Sequence, residues 1–163
     1  MQIKSVLEVL AVVILALVPA TASAQQLPNP YGAPVSLADA KKAAAAAIAE
    51  AQKNKWTIAV AVVDPNGTLI YYEKLDNTQI GSAKVAIEKA KSSAIFKRPT
   101  KAFEDALAAG GDGLRTLGLD GAVPLEGGFP IIMDGKIVGG IGVSGAKSSE
   151  DAVCAKAGAD SLK

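Results

Sequence analysis

Chemistry in this chain has to be done without imidazole, because none of its 163 residues is histidine. That removes Ser-His-Asp triads, Cys-His pairs, His-ligated zinc and imidazole–haem bonds. Proton transfer would fall to carboxylates, lysines and tyrosines, whose ordinary pKa values lie far from neutrality. A conventional hydrolase is disfavoured, and weak or cofactor-borne chemistry is what stays open. Donor types that could meet a metal are the hydroxyls of Tyr71 and Tyr72, the thioether of Met133 and the thiol of Cys154. Cys154 is the single cysteine, so no internal disulfide can form. A lone thiol of this kind is ordinarily buried and inert.

A second motif invites a chemical reading and fails it. Gly140-x-Gly142-x-x-Gly145 matches a dinucleotide-binding fingerprint. That fingerprint needs a βαβ unit and an acidic residue about 20 positions further on. After Gly145 the sequence has room for one helix and no further strand. The glycines are instead expected to let backbones pack closely. The loop from Gly110 to Gly121 likewise lacks the Gly-Lys-Ser/Thr of a P-loop and the acidic spacing of an EF-hand, and reads as a flexible connection.

The elements around these residues can be read in order. Ser36 is placed to cap a helix running to about Lys53, with Asp39 as its capping-box partner and Asn54 as its stop. Leu37, Ala44, Ile48 and Ala51 fall near helical spacing. Trp56 to Val63 reads as a central strand that returns through Pro65-Asn66-Gly67 into Thr68 to Lys74. Ile80 to about Lys97 is a second long helix with an apolar stripe of Ile80, Ala83, Ile87, Ala90 and Ala94. Lys84, Glu88 and Lys91 share another face, which reads as solvated or as an anion-facing rim. Pro99 ends that helix, and Thr100 caps a short one to about Ala109. Ala122 to Leu125 reads as a brief strand. Phe129 to Met133 and Lys136 to Val143 form a hairpin through Asp134-Gly135, a type I′ pair. Ser148 or Ser149 caps a terminal helix. The expected fold is α+β, a single mostly antiparallel sheet with packed helices in the order α-β-β-α-α-β-β-β-α.

Residues 1–24 read as an export signal: Lys4, an apolar core from Val9 to Ala20, and Ala22-Ser23-Ala24 as a cleavage site. The mature chain would begin at Gln25, with an extended arm over 25–35 and one domain over 36–163. The apolar run is shorter than the ~20 residues that span a bilayer, so no membrane span is expected. A periplasmic or secreted location follows. With a formal net charge of +1 there is no basic surplus to suggest a nucleic-acid partner.

Taken in order, several motifs resemble the GlcG/HbpS family. They are Val62-Val63-Asp64-x-x-Gly67, Lys89-Ala90 leading to Pro99-Thr100, and Gly127-Gly128-Phe129-Pro130. Gly139-Gly140-Ile141-Gly142-Val143-Ser144-Gly145 and the closing acidic Cys154-Ala-x-Ala-Gly158 helix complete the set. The likeness spans about Val35 to Leu162. It implies a small α+β domain that assembles as a homo-oligomer. It also implies haem binding, sometimes haem degradation, in exported members, and a relation to the C-terminal domain of PduO-type proteins. A threonine of the Pro-Thr motif is associated with the iron in such a relative, which carries over to Thr100. Lys89, Lys91, Lys97 and Arg98 would then offer positive charge to the propionates. Relatives that use histidine cannot be mirrored. An oligomeric accessory protein without a ligand of its own is the alternative from another class, and a haem-degrading enzyme is a third.

Overall fold

A computed structural model describes residues 28–163. The export signal and its cleavage site lie outside the described residues. Among the described residues no helix is long and apolar enough to cross a membrane.

The first helix, α1 (Leu37–Lys53), starts where Ser36 accepts a hydrogen bond from the Asp39 amide at 3.1 Å. The Ser36 hydroxyl donates to the Asp39 carboxylate, so the expected capping box is replaced by a side-chain pair. Ala40, Ala43, Ala44, Ala47, Ile48 and Ala51 form its buried face, while Leu37 is half exposed. Strand β1 (Ala59–Val63) is buried at every residue and returns as β2 (Leu69–Lys74). The turn between them is held by Asp64, whose carboxylate accepts from the Asn66 and Thr68 amides. Gly67 supplies the positive φ.

Helix α2 (Ser82–Ile95) begins two residues later than its apolar stripe suggested. Its buried face is Ser82, Ala86, Lys89, Ala90, Ser93 and Ala94, while Ile80 is 89% exposed. Helix α3 (Lys101–Ala109) follows, and Gly111–Gly118 forms a 3₁₀ helix where a flexible loop was expected. Residues 122–125 do not form the expected strand. The Val123 amide is bonded instead to the Ser92 hydroxyl on α2.

Strands β3 (Gly128–Met133) and β4 (Lys136–Ser144) form the second hairpin, with positive φ at both Asp134 and Gly135, as a type I′ turn requires. Helix α4 (Ser148–Asp160) closes the chain. Its cap residue is Lys147, not a serine, and the Glu150 carboxylate accepts from the Lys147 amide.

The four strands lie in the order β2-β1-β4-β3, all antiparallel. The α+β expectation holds. Val60, Val62, Ile141 and Val143 face α1 and α4 in the larger core. Ala59, Ala61 and Val63 face α2, where the helix offers only Ala86, Ala90 and Ala94. The glycines of β4 on that face let α2 sit almost on the strand: a Cβ at Gly142 would lie 2.1 Å from the Ala86 carbonyl oxygen.

One further segment joins the sheet. β1 stops pairing with β4 at Val63, opposite Gly140, which leaves Ile137 and Val138 without that neighbour. The arm fills the gap. Ile137 donates to the Pro30 carbonyl, and the Gly32 and Val35 amides donate to Ile137 and Val138, each at 2.8 Å. Tyr31 is thereby bridged in parallel to Ile137.

Candidate functional site

The structure splits the residues singled out for haem. Lys89 is buried, and its ammonium donates to the Asp151 carboxylate at 2.9 Å and the Val143 carbonyl at 3.1 Å. Thr100 is fully buried. It sits at the cap position of α3 but in helical geometry, and makes no side-chain cap. Its hydroxyl oxygen instead accepts from the Gly128 amide at 2.9 Å, while its own amide donates to the Gly128 carbonyl. That reciprocal pair ties the start of α3 to β3. Arg98 is exposed, with its guanidinium 5.6 Å from the centroid of Phe103.

Lys91 and Lys97 each touch an element that borders one groove. The stem of Lys91 lies against Gly67, whose Cβ would fall 2.7 Å from Lys91 Cγ and 3.5 Å from Ile95 Cγ2. The ammonium of Lys97 stands 4.1 Å from the centroid of the Tyr31 ring. Between these features is an open groove of about 440 Å³ lined by Tyr31, Gly32, Pro34, Pro65, Asn66 and Ile95. Three elements make it. The arm supplies one wall because β4 needs a partner beyond the end of β1. The β1–β2 turn supplies the second, and the last turn of α2 the third.

Tyr31 was not among the residues the sequence pointed to. It sits in a proline-rich arm, and its only local signal is an aromatic ring between Pro30 and Pro34. Its hydroxyl donates to the carbonyls of Ala94 and Ile95, at 3.1 and 2.8 Å. Both carbonyls belong to the last turn of α2, where Ala94 also accepts from the Lys97 amide at 3.3 Å, so the phenol adds to the helix's C-terminal cap. Burial raises its pKa above the ordinary tyrosine value.

The remaining donor types stand apart from this groove. Tyr71 donates to Glu73 at 2.7 Å, and that bond, with the nearby charge, raises its pKa. Tyr72 packs beside the alanines under α2, and burial raises its pKa too. Cys154 is fully buried, with its thiol pushed up to about 12 chiefly by desolvation. Met133 lines a second groove of about 350 Å³ that also holds the carboxylates of Asp39 and Asp134. No cluster of three His, Cys, Asp or Glu side chains able to hold a metal ion occurs among the described residues. The first groove sets the Tyr31 ring, two prolines and Ile95 around an open space. They offer iron no strong donor.

A family model described as "HbpS-like: Haem degrading protein HbpS-like" matches residues 35–160. Protein GlcG of Escherichia coli (strain K12) is 38% identical over 95 residues, which are 58% of this chain and 69% of GlcG. The crystal structure of a double mutant of HbpS from Streptomyces reticuli superposes with a TM-score of 0.74 at 29% identity, covering 98% of this chain and 99% of that one. The crystal structure of a PduOC:haem complex has a TM-score of 0.72 at 24% identity, covering 80% of this chain and 96% of that one, and shows the shared fold.

Proposed function

We propose that this chain, which belongs to the HbpS-like family, is an exported protein that binds haem or a related tetrapyrrole. The observation that carries the reading is the family match over residues 35–160, whose description names haem. The structure adds support in kind. A mostly apolar groove within the ~300–1,000 Å³ range of small-molecule sites has two lysines beside it that, among the described residues, neither pair with a carboxylate nor lie in the core. Apolar contact and cation–carboxylate attraction would then supply the affinity.

Titration of the purified protein with haemin tests this. A saturable change in the haem absorbance band at one equivalent per subunit is the expected result. A band that keeps rising without saturation would mean surface adsorption, and the accessory-protein reading would replace this one. Because the family description names degradation, the loaded protein should also be followed under reductant. Progressive loss of the band with release of an open-chain product would make the protein an enzyme.

Export and self-association belong to the same proposal. They rest on the signal-like residues 1–24 and on the family's assembling members. Protein recovered from its native host should begin at Gln25 by mass spectrometry, and light scattering should show more than one chain per particle. A retained Met1 would refute export, and a lone chain of about 15 kDa at high micromolar concentration (residues 25–163 at ~110 Da each) would refute assembly.

A further inference from the structure

We propose that the groove between the arm and the end of α2 is the tetrapyrrole site, and that it takes the metal-free porphyrin as readily as haem. This rests on the tetrapyrrole reading above and adds to it both a location and a ligand class. A planar macrocycle with a carboxylate-bearing rim needs an apolar wall and cations at the edge of that wall. Tyr31 and Ile95 are the wall. The nearest cations are Lys97, whose ammonium stands 4.1 Å from the Tyr31 ring, and Lys91, whose stem packs on Gly67 beside Ile95. The other large groove is wrong for such a rim, because Asp39 and Asp134 would repel it and Lys136 is its single cation.

Indifference to iron follows from how the oxygen atoms are used. The Tyr31 hydroxyl gives its proton to two carbonyls of α2, so binding a metal as phenolate would strip the helix end of those bonds. The Thr100 hydroxyl is sealed in the core, against Gly128. With no imidazole in the chain, nothing at the groove makes the metal–ligand bond on which ordinary haem sites depend. Contact area and propionate charge are shared by the two ligands. The iron is not recognised.

Side-by-side titrations with protoporphyrin IX, followed by its fluorescence, and with haemin, followed by absorbance, test both parts. Dissociation constants within about threefold of each other are expected for the wild type. Lys91→Glu/Lys97→Glu should weaken both ligands about tenfold or more, since the rim would then meet like charge. Tyr31→Phe keeps the ring and should bind within about twofold of wild type, whereas Tyr31→Ala should lose about tenfold. Because Tyr31 also anchors the arm, thermal melts must accompany the alanine variant. The double lysine variant leaves the arm's hydrogen bonds in place and decides the matter if Tyr31→Ala misfolds. Haemin binding ten times tighter than protoporphyrin, or more, would overturn the indifference to iron. Undiminished binding in the lysine variant would place the site elsewhere while leaving the tetrapyrrole reading intact. If neither ligand binds the wild type, that reading itself fails.

Discussion

Gly142→Val should leave the protein largely unfolded in water, with a loss of more than about 4 kcal/mol against the ~5–15 kcal/mol that holds a typical domain together. The cause is contact, not backbone conformation, because Gly142 is not among the residues with positive φ. A Cβ there would stand 2.1 Å from the Ala86 carbonyl oxygen and 2.4 Å from the Ala90 amide nitrogen. Both are main-chain atoms of α2, so relief requires the whole helix to lift from β4. Gly140 is crowded in the same way, with its Cβ position 2.4 Å from the Ala90 carbonyl oxygen. Gly135→Ala is the control. Gly135 has φ +72 and nothing within 4 Å, so only the cost of a left-handed residue, about 1–2 kcal/mol, should appear. Urea melts of the two variants separate these cases. A Gly142→Val protein that melts near wild type would mean that α2 is not seated on β4 as described.

Those glycines show what local sequence can and cannot reveal. Their density in β4 points to a close backbone approach, and the Rossmann-like spacing lies on a strand that is antiparallel to both neighbours, not in a βαβ unit. The turns were legible because Asn66-Gly67 and Asp134-Gly135 have few conformations open to them. The face of α2 was less so. Apolar spacing selected Ile80 and Ala83, but the helix buries Ser82, Lys89 and Ser93 in their place. Ser93 bonds the Ala90 carbonyl one turn back, but the other two are satisfied from elsewhere, Ser82 by Ser144 on β4 and Lys89 by Asp151 on α4. Partners some 60 residues away leave no trace in a helical period. The same holds for residues 122–125, whose composition permits a strand but where the Val123 amide is taken by an α2 side chain and the Ala122 amide by the Leu119 carbonyl. Ser92 holds Val123, and Glu104 holds neighbouring Glu126. The groove was hidden for the same reason, since Tyr31 meets Ile95 only once the arm has paired with β4. Charge alone marks Lys91 and Lys97 in the sequence, and only the fold sets one against Gly67 and the other over Tyr31, on elements that border the groove.

Lys89→Met is expected to cost about 3–5 kcal/mol at neutral pH, and Asp151→Ala a similar amount. The two side chains are 2% and 3% exposed and join α2 to α4 past the end of β4, where Ala146 also donates to Asp151 at 3.0 Å. Removing either partner strands the other's charge away from water. Replacing both by apolar groups, as in Lys89→Met/Asp151→Leu, strands no charge, although the Ala146 amide then loses its acceptor at about 1–3 kcal/mol. The double variant should therefore be more stable than the sum of the singles predicts, by about 2 kcal/mol or more. The pH dependence has a definite sign. Desolvation raises the Asp151 pKa in the folded protein above its ordinary value, and Lys89 is first among the groups that oppose the rise. A folded pKa above the unfolded one contributes stability that is present at low pH and lost as pH rises through the folded value. Without Lys89 the rise should be larger, so Lys89→Met should recover towards wild type as the pH falls to ~4, near the unfolded carboxylate value. Chemical denaturation of the four proteins between acid and neutral pH measures both effects. Additive single costs, or a Lys89→Met deficit that grows towards acid, would show that Lys89 does not hold the Asp151 charge in the folded protein.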